Sequence, residues 1–127
     1  MSTKILKISY WVSTGLLALF ILPGIFFINS PLAKEGATHL LIPGWLATTV
    51  GIGSFLGGLI LIIPMLPPWL KEWGYVGLGI VYLSALIGHL AIDGPIPMSF
   101  APLLNLIVLL ISYFTYHKLK YPKVIAK

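Results

Sequence analysis

Two pairs of ionisable residues, each spaced four apart, are the first candidates for chemistry in this sequence. Glu35 and His39 form one pair, and His89 and Asp93 form the other. Residues four apart share one face of a helix, so each carboxylate can orient the imidazole beside it. An imidazole held in this way can hydrogen-bond the polar group of a ligand or relay a proton. For His89 and Asp93 the alternative is a local contact that satisfies a helix end before a turn.

Further polar side chains lie near the starts of apolar runs. Because helices joined in sequence can gather such groups, we expect one ligand-binding pocket. Its candidate residues are Glu35, His39, Thr48, His89, Asp93 and Asn105. A metal site built from the histidines and carboxylates, or a haem held by the two imidazoles, is chemically reasonable. The pattern is specific for neither, and we predict no metal site and assign no catalytic residue.

The elements that must position these residues are four long apolar runs. The 127-residue chain is 58% apolar and only 9% charged, against roughly 25% charged residues in a soluble domain. Its exposed surface must therefore meet lipid. A helix of about 20 apolar residues crosses a hydrocarbon core of roughly 30 Å. The predicted spans are residues 8–28, 45–63, 73–92 and 102–116.

The predicted fold is an all-α, transmembrane four-helix bundle that forms a single domain over residues 1–127. The connection between the first two spans is longer than a turn requires, so it predicts a short interfacial or re-entrant helix. Within the first span, Pro23-Gly24 predicts a kink.

The lysines predict how the bundle lies in the membrane. With four spans, both termini share a side with the loop between helices two and three. That side holds seven lysines: Lys4, Lys7, Lys71, Lys118, Lys120, Lys123 and Lys127. The positive-inside rule makes it cytoplasmic, so we expect a multi-pass protein of a bacterial-type inner (plasma) membrane with both termini in the cytoplasm.

Small residues recur at helical spacing and predict close helix packing. The positions chosen are Gly53, Gly57, Gly58, Gly77 and Gly88. The same glycine faces could also form the interface of a homo-oligomer. Three hydroxyl residues, Ser13, Thr14 and Ser112, can bond back to their own helices and need no function.

Several function classes are disfavoured. The chain has no cysteine, which excludes thiol redox chemistry, and its lysines lie beside apolar runs as membrane anchors rather than as a nucleic-acid patch. No nucleophile–base constellation and no dinucleotide motif is present. The sequence therefore favours a chain that is not an enzyme on its own.

The whole pattern resembles the DoxX-like family of small four-helix membrane proteins. The resemblance rests on the order and spacing of many short matches rather than on one motif. These are Tyr10-Trp11-Val12-Ser13-Thr14-Gly15-Leu16-Leu17, Glu35-Gly36, His39-Leu40, Pro43, Gly51-Ile52-Gly53, Gly57, Pro64, Leu70-Lys71-Glu72-Trp73-Gly74-Tyr75-Val76-Gly77, Ser84, His89 and Asp93.

The resemblance implies a four-helix bundle and, for some relatives, association with a quinone-linked membrane oxidoreductase; others are described as chaperones. Two departures stand out. Ser54 replaces a charged residue that many relatives carry, so chemistry that depends on that charge is not implied here. Leu41-Ile42 replaces the usual Gly-Tyr before Pro43.

Two hypotheses follow. In the first, the chain is an accessory subunit of such an oxidoreductase or a binder of a lipophilic small molecule, with a bound quinone or other lipid as cofactor and membrane lipids around it. In the second, it is an assembly or structural module with no catalytic role.

Overall fold

The computed structural model describes residues 2–120, which form five α-helices and no strand. The helices are α1 (Thr3–Ile21), α2 (Pro31–His39), α3 (Gly44–Ile62), α4 (Pro68–Asp93) and α5 (Ala101–Lys120), with 3₁₀ segments at Leu22–Phe27 and Pro97–Phe100. Four stretches are long and apolar enough to cross a membrane: Thr3–Phe27, Gly44–Ile62, Pro68–Asp93 and Pro97–Leu119. The prediction of four apolar helices is confirmed, and Lys123 and Lys127 lie outside the described residues.

The four long helices run up and down, so the bundle has two ends. The end where α3 and α5 begin and α4 finishes is called the Asp93 end, and the opposite one is called the Lys71 end. The helix α2 connects α1 to α3 at the Asp93 end. Whether α2 lies in the membrane interface stays a prediction.

The helix α4 begins five residues earlier than expected. The sequence suggested a start at Trp73 because Lys71 and Glu72 carry charges, but the helix begins at Pro68. Proline suits a first turn because it lacks the N–H that would be unpaired there. Both charges find partners inside the bundle, which removes the physical reason to place them in a loop.

The predicted kink in the first span is a change of helix type. From Leu22 to Phe27 the chain winds as a 3₁₀ helix with Pro23 in its first turn. Proline cannot supply the N–H that continues an α-helix. The tighter winding redirects the chain at the Asp93 end, which becomes important for the cavity described below.

The core lies between the four long helices. Its buried apolar residues are Leu17, Leu61, Tyr75, Leu78, Tyr82 and Leu109. Most other large apolar side chains are exposed, as lipid-facing residues must be in a membrane bundle of this size.

The predicted packing glycines fall into two groups. A Cβ added at Gly57 would lie 3.1 Å from Leu78 Cγ, and one at Gly58 would lie 3.2 Å from Ile21 Cγ2. At Gly53 and Gly77 nothing lies within 4 Å, so these two do not pack against another helix of this chain. Their helix faces point away from the bundle, which four-residue spacing alone does not reveal.

At Gly88, an added Cβ would lie 3.8 Å from Leu40 Cδ2, an ordinary van der Waals contact. The segment after α2 therefore rests on α4 at this position.

Three hydroxyls join α1, α4 and α5 in the interior. Thr14 Oγ1 lies 2.6 Å from Ser112 Oγ, which in turn lies 2.7 Å from the Tyr75 hydroxyl. Thr14 and Ser112 are fully buried. Thr14 and Ser112 thus join different helices, whereas Ser13 bonds back to Ser9 O at 2.7 Å.

A backbone carbonyl joins three helices at the Lys71 end. Leu61 O accepts hydrogen bonds from the Tyr10 hydroxyl at 3.0 Å and from Lys71 Nζ at 2.8 Å. Leu61 lies in the last turn of α3, where carbonyls have no partner within the helix. A cation at a helix C-terminus is also favoured by the helix dipole. This explains how Lys71 can be almost completely buried.

The two groups of glycines predict different responses to the same substitution. Gly57→Val should lower unfolding stability by about 1–3 kcal/mol, because the added side chain meets Leu78 in a packed interior. Gly53→Val is the matched control on the same helix, and it should change stability by less than about 0.5 kcal/mol. Thermal unfolding of both variants in detergent measures the difference. Equal losses would contradict the assignment of Gly57 to a helix contact.

Candidate functional site

An aspartate clasped by two histidines lies at the Asp93 end. His39 Nε2 lies 2.7 Å from Asp93 Oδ1, and His89 Nδ1 lies 3.3 Å from Asp93 Oδ2. The first contact joins α2 to α4, and the second lies within α4. The predicted His89–Asp93 contact is present, and the contact between Asp93 and His39 is shorter. We call Asp93, His39 and His89 the His–Asp clasp.

The chain turns sharply after Asp93 and holds the carboxylate in place. Gly94 has φ +74°, a backbone conformation that residues other than glycine rarely adopt. The Ser99 hydroxyl donates to Gly94 O at 2.7 Å and closes the turn.

The clasp positions α2, a helix that has no buried residue. Its N-terminus is capped by Ser30, whose side chain accepts from Ala33 N at 3.2 Å. At its other end, Ile42 N donates to Ala37 O at 2.8 Å, the pattern of a helix that closes through a left-handed residue. That residue is Leu41, with φ 62°, where glycine is the usual choice.

A cavity of about 810 Å³ lies between α1 with its 3₁₀ extension, α2 and α3. Small-molecule sites typically have roughly 300–1,000 Å³. The wall on α3 is made of small residues spaced three or four apart, and these are Gly44, Ala47, Thr48, Gly51 and Ser54. Their size leaves the space open.

The glycine at 51 also sets the shape of the wall. A Cβ there would lie 2.6 Å from Ile28 Cδ1, so a larger residue would require the Ile28 side chain to shift. The predicted kink region and the glycine-rich helix thus build the cavity together.

Three hydroxyl residues of the cavity wall have no internal hydrogen-bond partner. Thr38, which lines the cavity, bonds back to Lys34 O at 2.9 Å, as hydroxyls in helices commonly do. Thr48, Ser54 and Tyr82 also line the cavity or its edge, and none of the three makes such a bond among the described residues. The Tyr82 hydroxyl is buried without a partner.

The structure separates the predicted site residues. His39, His89 and Asp93 come together in the clasp, while Thr48 lines the cavity. Glu35 is exposed on α2 and does not line the cavity. Asn105 is half-buried on α5 and belongs to neither group. The sequence predicted one pocket for these residues. In the structure, the clasp and the cavity are two separate groups of residues.

Sequence reasoning missed Lys34, Ser54 and Tyr82 as cavity residues. For Tyr82 a signal exists, since it lies seven residues before His89 and shares its face of α4. Lys34 and Ser54 carry no comparable signal, because their role depends on how α2 and the 3₁₀ segment fold back.

A second carboxylate cluster lies at the Lys71 end. Glu72 Oε1 lies 2.5 Å from His117 Nε2, and the Tyr113 hydroxyl donates to Glu72 Oε2 at 3.2 Å. These contacts fasten the start of α4 to the end of α5. Among the described residues no group of three or more His, Cys, Asp or Glu could hold a metal ion.

The family to which this chain is similar was identified over most of its length. The model of the DoxX-like family matches residues 12–115, which run from α1 into α5. The chain belongs to the DoxX-like family. No curated protein and no solved structure matches it.

Membership in the DoxX-like family and four apolar helices make this an integral, multi-pass membrane protein. The family match includes the clasp, the cavity and Leu41. The resemblance implied a helical bundle, and the structure has the four long apolar helices that such a bundle requires. The roles described for some relatives stay proposals for this chain.

The left-handed Leu41 predicts a stabilising substitution. Leu41→Gly should raise unfolding stability by about 1 kcal/mol, because a Cβ at φ 62° is strained. Leu41→Ala keeps the Cβ and serves as the control that should show no gain. Thermal unfolding in detergent compares the three proteins, and a gain from alanine equal to that from glycine would contradict the strain.

The clasp predicts that α2 depends on one carboxylate. Asp93→Asn should speed hydrogen exchange of the backbone amides of residues 32–39 by about two- to fivefold, because a partly exposed His–Asp contact contributes modestly to local stability. The control is Glu35→Gln, which removes an exposed carboxylate on α2 that makes no ion pair among the described residues. Hydrogen exchange with mass spectrometry resolves the segment. Unchanged exchange in Asp93→Asn would show that the clasp does not hold α2.

Proposed function

We propose that this DoxX-like protein binds a lipophilic small molecule in the cavity between α1, α2 and α3. The observation that carries the proposal is a cavity of about 810 Å³, lined by small residues of α3 and by Tyr82, whose buried hydroxyl has no hydrogen-bond partner among the described residues. Unpaired hydroxyls in an apolar environment are costly, so their presence beside an open space supports a ligand that pairs with them.

The walls indicate the chemical character of the ligand. Ile21, Phe27, Ile28 and Leu32 supply apolar surface, while Thr48 and Ser54 supply hydroxyls that can donate to an oxygen. A molecule with a long hydrocarbon part and a few oxygens fits both. A quinone or another lipid meets this description, since the carbonyl oxygens of a quinone accept hydrogen bonds.

The proposed orientation puts the cavity in the outer leaflet of a bacterial-type plasma membrane and both termini in the cytoplasm. The distribution of lysines supports it, because Lys4, Lys7 and Lys118 all lie at the Lys71 end. The Asp93 end holds Lys34 near Glu35 and Asp93, so its net charge is small.

An accessory role in a quinone-linked oxidoreductase is one form of this proposal, with the partner subunit supplying the redox centre. A purely structural or assembly role is the competing proposal. It needs no ligand, so the presence or absence of a bound lipophile separates the two.

Filling the cavity should remove the ligand without unfolding the protein. Ala47→Leu places a larger side chain on the cavity wall and should abolish co-purification of a stoichiometric lipophile from mild detergent. Ala91→Leu, at an exposed position on α4, is the control with the same change. Native mass spectrometry with organic extraction gives the readout.

A second variant tests the polar part of the site. Thr48→Val keeps the volume of the side chain but removes its hydroxyl, so it should weaken retention without abolishing it. If wild-type protein carries no lipophile and takes up none that is added, the binding proposal is wrong and the assembly role is favoured.

A further inference from the structure

The cavity carries one charged side chain, and that side chain is a cation. Lys34 lies among the residues that line the cavity, and no acidic residue does. The chain has three acidic residues, all in the described range. Asp93 is clasped by two histidines, Glu72 is bonded at the Lys71 end, and Glu35 is exposed away from the cavity. Lys34 therefore has no acidic partner within residues 2–120.

The position of Lys34 on its helix adds to the positive potential. Lys34 lies in the first turn of α2, which begins at Pro31. The first turn of a helix is the positive end of its dipole, where a lysine is unfavourable and an anion is favourable. The placement therefore does not serve the helix. The Ser30 hydroxyl beside it accepts from Ala33 N and keeps its own proton to donate.

Below this positive rim the cavity continues toward the middle of the membrane. Ser54 lies ten residues beyond the start of α3 at Gly44, a distance of roughly 15 Å at 1.5 Å per residue. This is about half of a hydrocarbon core of roughly 30 Å. A slot of this depth, with a cation at its rim and apolar walls, matches one hydrocarbon chain with an anionic head.

We propose that the cavity takes a single-chain lipid anion, whose carboxylate or phosphate lies against Lys34 and the first turn of α2 while its chain extends between the 3₁₀ segment and α3. The proposal rests on the proposed function and names its ligand class. The carboxylate of a fatty acid and the phosphate of a lysophospholipid share the chemistry that Lys34 recognises.

The test measures binding of three probes to the purified full chain in a non-ionic maltoside detergent. The probes are palmitate, hexadecanol and palmitoyl lysophosphatidate, which share a chain and differ in their heads. Palmitate or lysophosphatidate should bind the wild type at least about tenfold more tightly than hexadecanol, because only they form a charge-assisted hydrogen bond with Lys34. The stronger of the two anions identifies the source of the headgroup.

Charge variants locate the anion site. Lys34→Gln should remove the preference for the anions, so that the three probes bind with similar affinity. Lys118→Gln removes the same charge at the Lys71 end and should preserve the preference, and Lys34→Arg should keep most of it. Thermal unfolding shows that each variant is folded.

The two proposals fail in different ways. Equal affinity for all three probes overturns the anion proposal and leaves the binding of lipophiles intact. A preference for anions that survives in Lys34→Gln also overturns it, because the anion then lies elsewhere. If no probe binds and Ala47→Leu changes nothing, both proposals are wrong.

Discussion

Hydrocarbon offers no water, so a polar group inside this bundle must find its partner on another helix or on its own. The carbonyl of Leu61 shows how the chain meets this requirement: it accepts from Tyr10 of α1 and Lys71 of α4 at the point where α3 ends. One helical turn further into the bundle, Thr14, Ser112 and Tyr75 share hydroxyl contacts. These bonds need exact helix positions, and the interior glycines of α3 allow the helices to approach closely enough to form them.

The opposite end is built differently. There the first span changes to a 3₁₀ helix, α2 has no buried residue, and α3 presents small side chains to an open space. The contacts that hold this end are a half-exposed His–Asp pair and a glycine turn. A closely bonded end and an open end thus coexist in one short chain. Low packing at this end is what leaves the cavity open, since a fully packed bundle of four helices has no such space.

Much of this architecture follows from the sequence. The number of apolar helices, the start of α3 and the break at Pro23 depend on local composition and on proline, so they were predictable. The early start of α4 was not, because the partners of Lys71 and Glu72 lie on other helices. The same limit applies to the site: the His89–Asp93 contact has a local spacing, whereas His39–Asp93 joins residues that are 54 apart. Gly53 and Gly57 have equivalent spacing, and only the packed structure shows which of them meets a neighbour. The sidedness in the membrane stays a prediction from the lysines.

The bond between Lys71 and Leu61 also bears on how the protein is made. Only ten residues separate its partners, and both belong to the hairpin of α3 and α4. The ammonium can therefore pair with its acceptor within this hairpin, without any contact from α5. The most costly charge of the finished protein then enters the lipid with its acceptor already in place, and insertion does not have to wait for the last helix.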